Sequence, residues 1–175
     1  HFCWRSLRPR PTIQLEIERT RRRDWDRFRE HHYLSRSLSP AARCYLGKVD
    51  GMPAAFTAVL YWPHPQRPGW REHRTVCLPD FQGVGIGNQM SEFVAGMFRA
   101  TGLAYRSVTS SPAMIKHRAR SRCWRMTRAP SRVAGLPKQR SLRASTSTRR
   151  RTASFEYVGP ILREEATRFG IVGNK

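Results

Sequence analysis

The sequence predicts a mixed α/β (α+β) domain in which a central, mostly antiparallel twisted sheet is flanked by helices. Three observations predict it: short segments that alternate apolar and polar residues, a hairpin signal at Asp50-Gly51, and a strand that runs through a glycine-rich loop into an amphipathic helix. At 175 residues and 39% apolar content the chain can bury one ordinary core. A single domain is expected over 12–159, preceded by a basic, disordered leader at 1–11, interrupted by a basic mobile loop at 131–151 and followed by a C-terminal tail at 160–175.

The elements follow in order. Thr12 to Glu18 alternates Ile13, Leu15 and Ile17 with polar residues, the period of a half-buried strand. Asp24 can cap a short helix that sets Trp25 and Phe28 on one face and ends near His31-His32-Tyr33-Leu34. Ala42 to Val49 and Ala54 to Trp62 flank Asp50-Gly51 as antiparallel strands, and Met52-Pro53 makes their connection longer than the tightest hairpin. After a Pro-rich loop, Glu72 to Leu78 reads as a strand with His73, Thr75 and Cys77 on one face and Glu72 on the other.

Beyond the glycine run, Met90, Phe93, Val94, Met97 and Phe98 recur at helical spacing over Asn88 to Thr101, and Gly102 supplies the stop. Leu103 to Thr109 is a further strand, and Pro112 opens a helix reaching about Arg120, with basic residues continuing to Arg128. From Phe93 to Phe155 there is no Asp or Glu, and Ser131 to Arg151 lacks an apolar period, which is why it reads as a loop. Ser154 to Val158 alternates again as a final strand stopped by Gly159-Pro160.

A formal charge of +21 calls for an anionic partner, whether nucleic acid, an acidic protein or a phosphate-rich cofactor. Cys3, Cys44, Cys77 and Cys123 are far apart with no C-x-x-C pair, which argues against a zinc site and a disulfide framework, and no metal is expected. There is no apolar run of about 18 residues, and the start lacks the order of a signal peptide. A cytoplasmic protein with reduced thiols and no membrane contact is the expectation.

The strand, glycine loop and helix carry the chemistry. A helix N-terminus has unsatisfied amides and a partial positive charge, and Gly83, Gly85 and Gly87 let backbone wrap closely around an anion, with pyrophosphate the natural fit. A dinucleotide fingerprint would need Gly at position 90, where Met90 stands, and a Walker A loop would need a Lys, which Gly87-Asn88-Gln89 lacks. What the residues resemble is the signature Gln/Arg-x-x-Gly-x-Gly/Ala of the GNAT acyltransferase superfamily, matched by Gln82, Gly85 and Gly87 after Val76-Cys77-Leu78-Pro79. The element order over roughly Thr12 to Gly159 is similar as well.

That resemblance implies an N-acetyltransferase with acetyl-CoA as cofactor, on a sheet splayed at the cofactor site, acting by direct attack of a primary amine in a ternary complex. It implies that amides of Gln82, Gly83, Val84, Gly85, Ile86, Gly87 and Asn88 bind the pyrophosphate. Backbone of Cys77 and Leu78 is then expected to pair with the pantetheine arm and polarise the thioester. Glu72 and His73 are the candidate bases, with His73 preferred because it shares a face with Cys77 and its ordinary pKa suits neutral pH. The family's thiolate-protonating Tyr, in an Asn-x-x-Ala-x-x-x-Tyr context, is replaced by His117 after Ser110 and Ala113, with Tyr105 and Tyr157 as reserves.

His31, His32 and Tyr33 stand where such enzymes form the acceptor wall; the plainer reading is a helix end with a Tyr packing inward. Trp25, Trp62 and Trp124 suit base stacking or, more commonly, a core, and Cys77 suits a small apolar strand residue better than a nucleophile. Two other functions fit the charge. One is a nucleic-acid-modifying enzyme on the same fold, since the His-His-Tyr segment resembles phage Mom-type DNA-modification proteins; the other is a non-catalytic basic nucleic-acid-binding domain.

Overall fold

The computed structural model describes residues 12–32, 36–132 and 151–173. In chain order, β1 (Glu16–Thr20), β2 (Arg43–Val49), β3 (Met52–Trp62) and β4 (Gly69–Cys77) precede helix α1 (Ile86–Arg99). Strand β5 (Ala104–Thr109), helix α2 (Pro112–Arg120), β6 (Trp124–Arg132), β7 (Arg151–Tyr157) and α3 (Arg163–Arg168) follow. The strands form one sheet in the order β1-β2-β3-β4-β5-β7-β6. Every neighbouring pair is antiparallel except β4 with β5.

One face of the sheet is covered by α1, whose Met90, Val94, Met97 and Phe98 are fully buried against Tyr45, Ala55, Val59 and Tyr105. The opposite face is covered by the 3₁₀ turn Arg22–Arg27 and its continuation, which bury Trp25 and Phe28 on Phe56, Ala58 and Val76. A 3₁₀ turn repeats every three residues, so Trp25 and Phe28 eclipse and present one wedge to the sheet. Arg21, not Asp24, is the cap residue; Asp24 accepts the Thr20 hydroxyl at 2.5 Å instead.

Four expectations change. The first strand starts later, at Glu16, leaving Ile13 exposed, while Leu15 and Ile17 pack against the α1 core. The hairpin is the tightest kind after all: Asp50 and Gly51 both take positive φ (50° and 74°), and Val49 pairs directly with Met52. The irregularity that Met52-Pro53 suggested is absorbed by a bulge at Gly47/Lys48. The basic stretch after Arg120 is not helical but β6, an edge strand whose residues 125–130 are exposed, so no buried face marks it as a strand.

The last change concerns 160–175, expected to be a tail. Among its described residues, Leu162, Ala166, Phe169 and Ile171 pack into the α1 core, so the domain extends past 159. Gly96 makes room for this: a Cβ there would stand 2.9 Å from Leu162 Cγ and 3.0 Å from the Pro160 carbonyl. Of the expected basic loop, Ser131, Arg132 and Arg151 belong to strands, and 133–150, like the 1–11 leader, lies outside the described residues.

The feature that positions the site is the divergence of β4 and β5. They pair at Gly69-Ala104, Trp70-Tyr105 and Arg71-Arg106 and then separate. Their closed end depends on Gly69, where a Cβ would stand 2.5 Å from the Ala104 carbonyl oxygen. Gly69→Ala is therefore expected to cost about 1–3 kcal/mol by overpacking backbone against backbone, read as a lower urea midpoint. An unchanged midpoint would show that this close approach is not what joins the strands.

Candidate active site

The β3-β4 register steps from Ala58-Arg74 to Val59-Glu72, so His73 is the extra residue of a bulge. The bulge resets the alternation along β4. Glu72 and Thr75 share the α1 face, joined by a Thr75 hydroxyl donating to Glu72 Oε1 at 2.6 Å, and Cys77 packs with the α1 core. His73 and Arg74 turn the other way, where the Ser39 amide donates to His73 Nε2 at 3.3 Å and Arg74 Nη2 to the Ser37 carbonyl at 3.2 Å. The expected sharing of a face by His73 and Cys77 is thus reversed: Glu72 has that place.

Glu72 is not free to take a proton. Arg118 of α2 reaches it at 2.9 Å, with the two side chains 0% and 6% exposed, and hydroxyls of Ser91 (2.7 Å), Thr75 and Ser107 also donate to it. Burial pushes its carboxyl up, but Arg118 and the three hydroxyls outweigh burial and hold it below the usual carboxylate range. Arg118 also donates to the Ser91 and Ser107 hydroxyls and lies 4.2 Å from the Trp124 ring centroid. This network joins β4 to β5 directly after their last paired residues, Arg71 and Arg106.

His73 is a weak base for a different reason. Burial, then the charges of Arg74 and Arg71, then His32, push its pKa down to about 3. Its ring is neutral at pH 7, yet too weakly basic to draw a proton from an ammonium group. His32 lies edge-on to Trp25, 5.7 Å between ring centroids, and lines a small cleft of about 40 Å³ with Glu72, His73, Thr75 and Met114. His31 sits elsewhere, on the wall of the groove described next, and Tyr33 is outside the described residues.

Gly83 and Gly85 take φ of 81° and 96°, conformations that a side chain would strain, and lead into α1. The α1 N-terminus has no side-chain cap and no acidic residue in its first turn. Three of the expected contacts are already engaged: the Gln82 amide with the Pro79 carbonyl, the Asn88 amide with that of Gly85, and the Leu78 amide with that of Ala54. That leaves the amides of 83–86, with the Gly87 amide facing the Cys77 thiol, as the donors at the start of α1. The register also turns Cys77, rather than Leu78, away from β3 toward the gap, where the Gln82 side chain donates to the Cys77 carbonyl at 2.9 Å.

The loop, Cys77, Thr75 and α2 residues Ala113, Met114 and His117 line one groove of about 560 Å³. Thr75 and Met114 line both this groove and the small cleft, so the two meet across the splayed strands. Burial pushes the Cys77 thiol up to about 11, against a small lowering by the Gly87 amide, which keeps it protonated and inert. Asn88 Oδ1 is buried without a partner beside the loop. A larger groove of about 810 Å³, between β1, Phe93 and Phe169, is lined by Arg19 and Arg168 but has no glycine loop leading into a helix N-terminus.

His117 faces the groove, 39% exposed, with Nε2 3.3 Å from Glu92 Oε1. The reserve hydroxyls do not reach it: Tyr105 is fully buried, and Tyr157 donates to the Pro160 carbonyl at 3.2 Å. Trp25 and Trp124 are core residues, and Trp62 carries Arg106 5.2 Å from its ring centroid. Sequence reasoning missed Arg118, Ser91, Ser107 and Glu92. Only Glu92 left a signal, as the last carboxylate before the long acid-free stretch. Among the described residues no group of His, Cys, Asp and Glu is placed to hold a metal ion, and no helix is long and apolar enough to cross a membrane.

No family model and no curated protein matches the chain by sequence. By structure it is similar to a Bacillus subtilis acetyltransferase in complex with CoA, with a TM-score of 0.56 at 12% identity over 83% of this chain and 97% of that one. A ribosomal-protein alanine N-acetyltransferase from Escherichia coli gives 0.56 at 16% identity, covering 85% and 94%. A GNAT-family acetyltransferase from Streptococcus pneumoniae gives 0.56 at 10% identity, covering 83% and 100%. The chain has the fold of these acetyltransferases.

Two outcomes follow from the buried charges. Arg118→Met leaves the Glu72 carboxylate buried without its counter-charge and is expected to cost about 3–5 kcal/mol in urea unfolding, whereas Glu72→Leu/Arg118→Met should recover part of that loss. A single variant as stable as the parent would show the pair to be dispensable. His73, unlike an exposed histidine, takes up its proton near 6.5 when unfolded but near 3 when folded, so its contribution is full above 6.5 and lost as pH falls toward 3. Melting temperature should therefore drop between about pH 7 and about pH 5, and His73→Gln, which keeps an acceptor for the Ser39 amide, should flatten that drop.

Proposed function

We propose that this chain is an N-acetyltransferase that moves the acetyl group of acetyl-CoA to a primary amine by direct attack in a ternary complex. The observation that carries the reading is the continuity of one groove from the uncapped α1 N-terminus to the gap between β4 and β5. Amides between Gly83 and Gly87 hold the pyrophosphate, where a helix N-terminus without an acidic first turn favours an anion. Backbone at Cys77 faces the pantetheine arm, and its N–H is the donor best placed for a developing oxyanion, an effect worth about 3–4 kcal/mol for one preorganised donor. Acetyl-CoA supplies an activated acyl group whose thiolate leaves readily.

The acceptor enters from the side of the small cleft, between Thr75, Thr109 and Met114. With Glu72 bound to Arg118 and His73 a weak base, neither of these two groups takes a proton from an ammonium group, and Arg74 and Arg71 repel one. The acceptor that suits it arrives uncharged, as a weakly basic amine. A second reading follows from the exposed basic edge formed by Lys116 and Arg120 of α2 and Arg125 and Arg128 of β6: the amine is carried on nucleic acid.

Calorimetric titration with acetyl-CoA tests the reading. Gly87→Glu is the informative control, because its Cβ would meet nothing closer than Cys77 Cβ at 3.8 Å and a Glu in the first helical turn suits the fold. Binding by the parent, weakened about tenfold or more in the variant, is expected. Absence of binding by the folded parent would overturn the reading, and equal binding by the variant would move the cofactor away from this loop.

A further inference from the structure

We infer that Glu92 is a positioning residue for His117, the pair forming a carboxylate-imidazole unit that delivers a proton to the groove in the last step of acetyl transfer. This rests on the acetyltransferase reading and adds to it a residue on α1 that neither the glycine loop nor the spacing of α2 involves. Glu92 Oε1 lies 3.3 Å from His117 Nε2 and also accepts the Ser121 hydroxyl at 3.0 Å and the Trp124 indole N–H at 3.1 Å. Trp124 is 6% exposed and packs between Tyr105 and Tyr157, so the carboxylate is held by a core residue while the imidazole stands at the groove.

A carboxylate against one ring nitrogen keeps a proton there and fixes which nitrogen serves the other side. With Nε2–H donated to Glu92, Nδ1 is the nitrogen that works toward the groove. The charged and titratable groups around the ring, among the described residues, are Glu92 from α1, Lys116 and Arg120 from its own helix, and His31 across the groove. Strand β6 contributes Trp124, and Arg118 is turned away to Glu72. Glu92 is the single carboxylate of this set, and its oxygen is the acceptor that the ring's Nε2 faces.

In the step itself the nitrogen–carbon bond to the acceptor forms as the carbon–sulfur bond breaks. His117 gives its Nδ1 proton to the departing sulfur, the acceptor's surplus proton leaves to water, and His117 regains a proton from solvent through its exposed face. No further reactant is needed. Glu92 keeps its charge throughout and moves no proton.

Nitrogen-15 NMR of histidine-labelled protein, with His117→Gln to identify the signal, reads the ring without any cofactor. The neutral ring should be a single Nε2–H tautomer in the parent and a mixture in Glu92→Ala. Slow thiol release from acetyl-CoA in water, followed on the same proteins, should fall about 100-fold in His117→Gln, the low end for a proton-transfer group. It should fall less in Glu92→Ala, and no further in the double variant than in His117→Gln alone. Glu92→Gln keeps an acceptor for Trp124 and Ser121, and should lose rate with its fold intact. An unchanged tautomer in Glu92→Ala, or multiplicative losses in the double variant, would overturn the pairing while acetyl-CoA still binds. A parent that does not bind acetyl-CoA would overturn both this and the reading beneath it.

Discussion

The Arg118 guanidinium is where five elements meet. It leaves α2, pairs with Glu72 on β4, donates to Ser107 on β5 and to Ser91 on α1, and lies against Trp124 at the start of β6. Two charges removed from water cost several kcal/mol each, and they are tolerated here because nearly every polar atom has a partner. The consequence is geometric. Strands β4 and β5 part beyond Arg71 and Arg106, the ion pair bridges the gap they leave, and α2 is held in one rotation about its axis. That rotation brings His117, the next residue back, to the wall of the groove with the glycine loop. A buried pair of this kind adds little net stability over apolar residues of the same size, but removing one partner strands the other charge, so the elements it joins are tied to this arrangement.

The parts of the site that local chemistry dictates were legible in the sequence. Positive φ at Gly83 and Gly85 requires glycine whatever the surroundings, and the apolar stripe from Met90 to Phe98 belongs to one helix, so loop and helix could be read from residues alone. The facing of β4 could not. Alternation predicted His73 beside Cys77, but the bulge opposite Ala58 and Val59 arises from pairing with β3, a partner that a scan along β4 does not contain. Arg118 was hidden among Arg residues that elsewhere on the helix are solvated, and nothing in its neighbours reveals that it alone turns inward. β6 was missed because an edge strand exposed over 125–130 carries no apolar face to betray it.

The same distinction governs the charge. A net +21 describes the whole chain and says little about any one point on it. At the site the decisive fact is how the few carboxylates are used: Glu72 neutralises Arg118, and Glu92 faces His117, so neither offers an open anionic position to a cationic acceptor. The end of α1, which favours an anion, and the small cleft beside Arg74 are then both electropositive.

Amide chemical shifts of the labelled protein during addition of CoA test the central claim most directly, because they report where the ligand sits as well as whether it binds. The account predicts the largest changes at Gly83 to Gly87, with smaller ones at Thr75, Cys77, Met114 and His117. Shifts confined to the groove between β1, Phe93 and Phe169, or none at all in the folded protein, would contradict it.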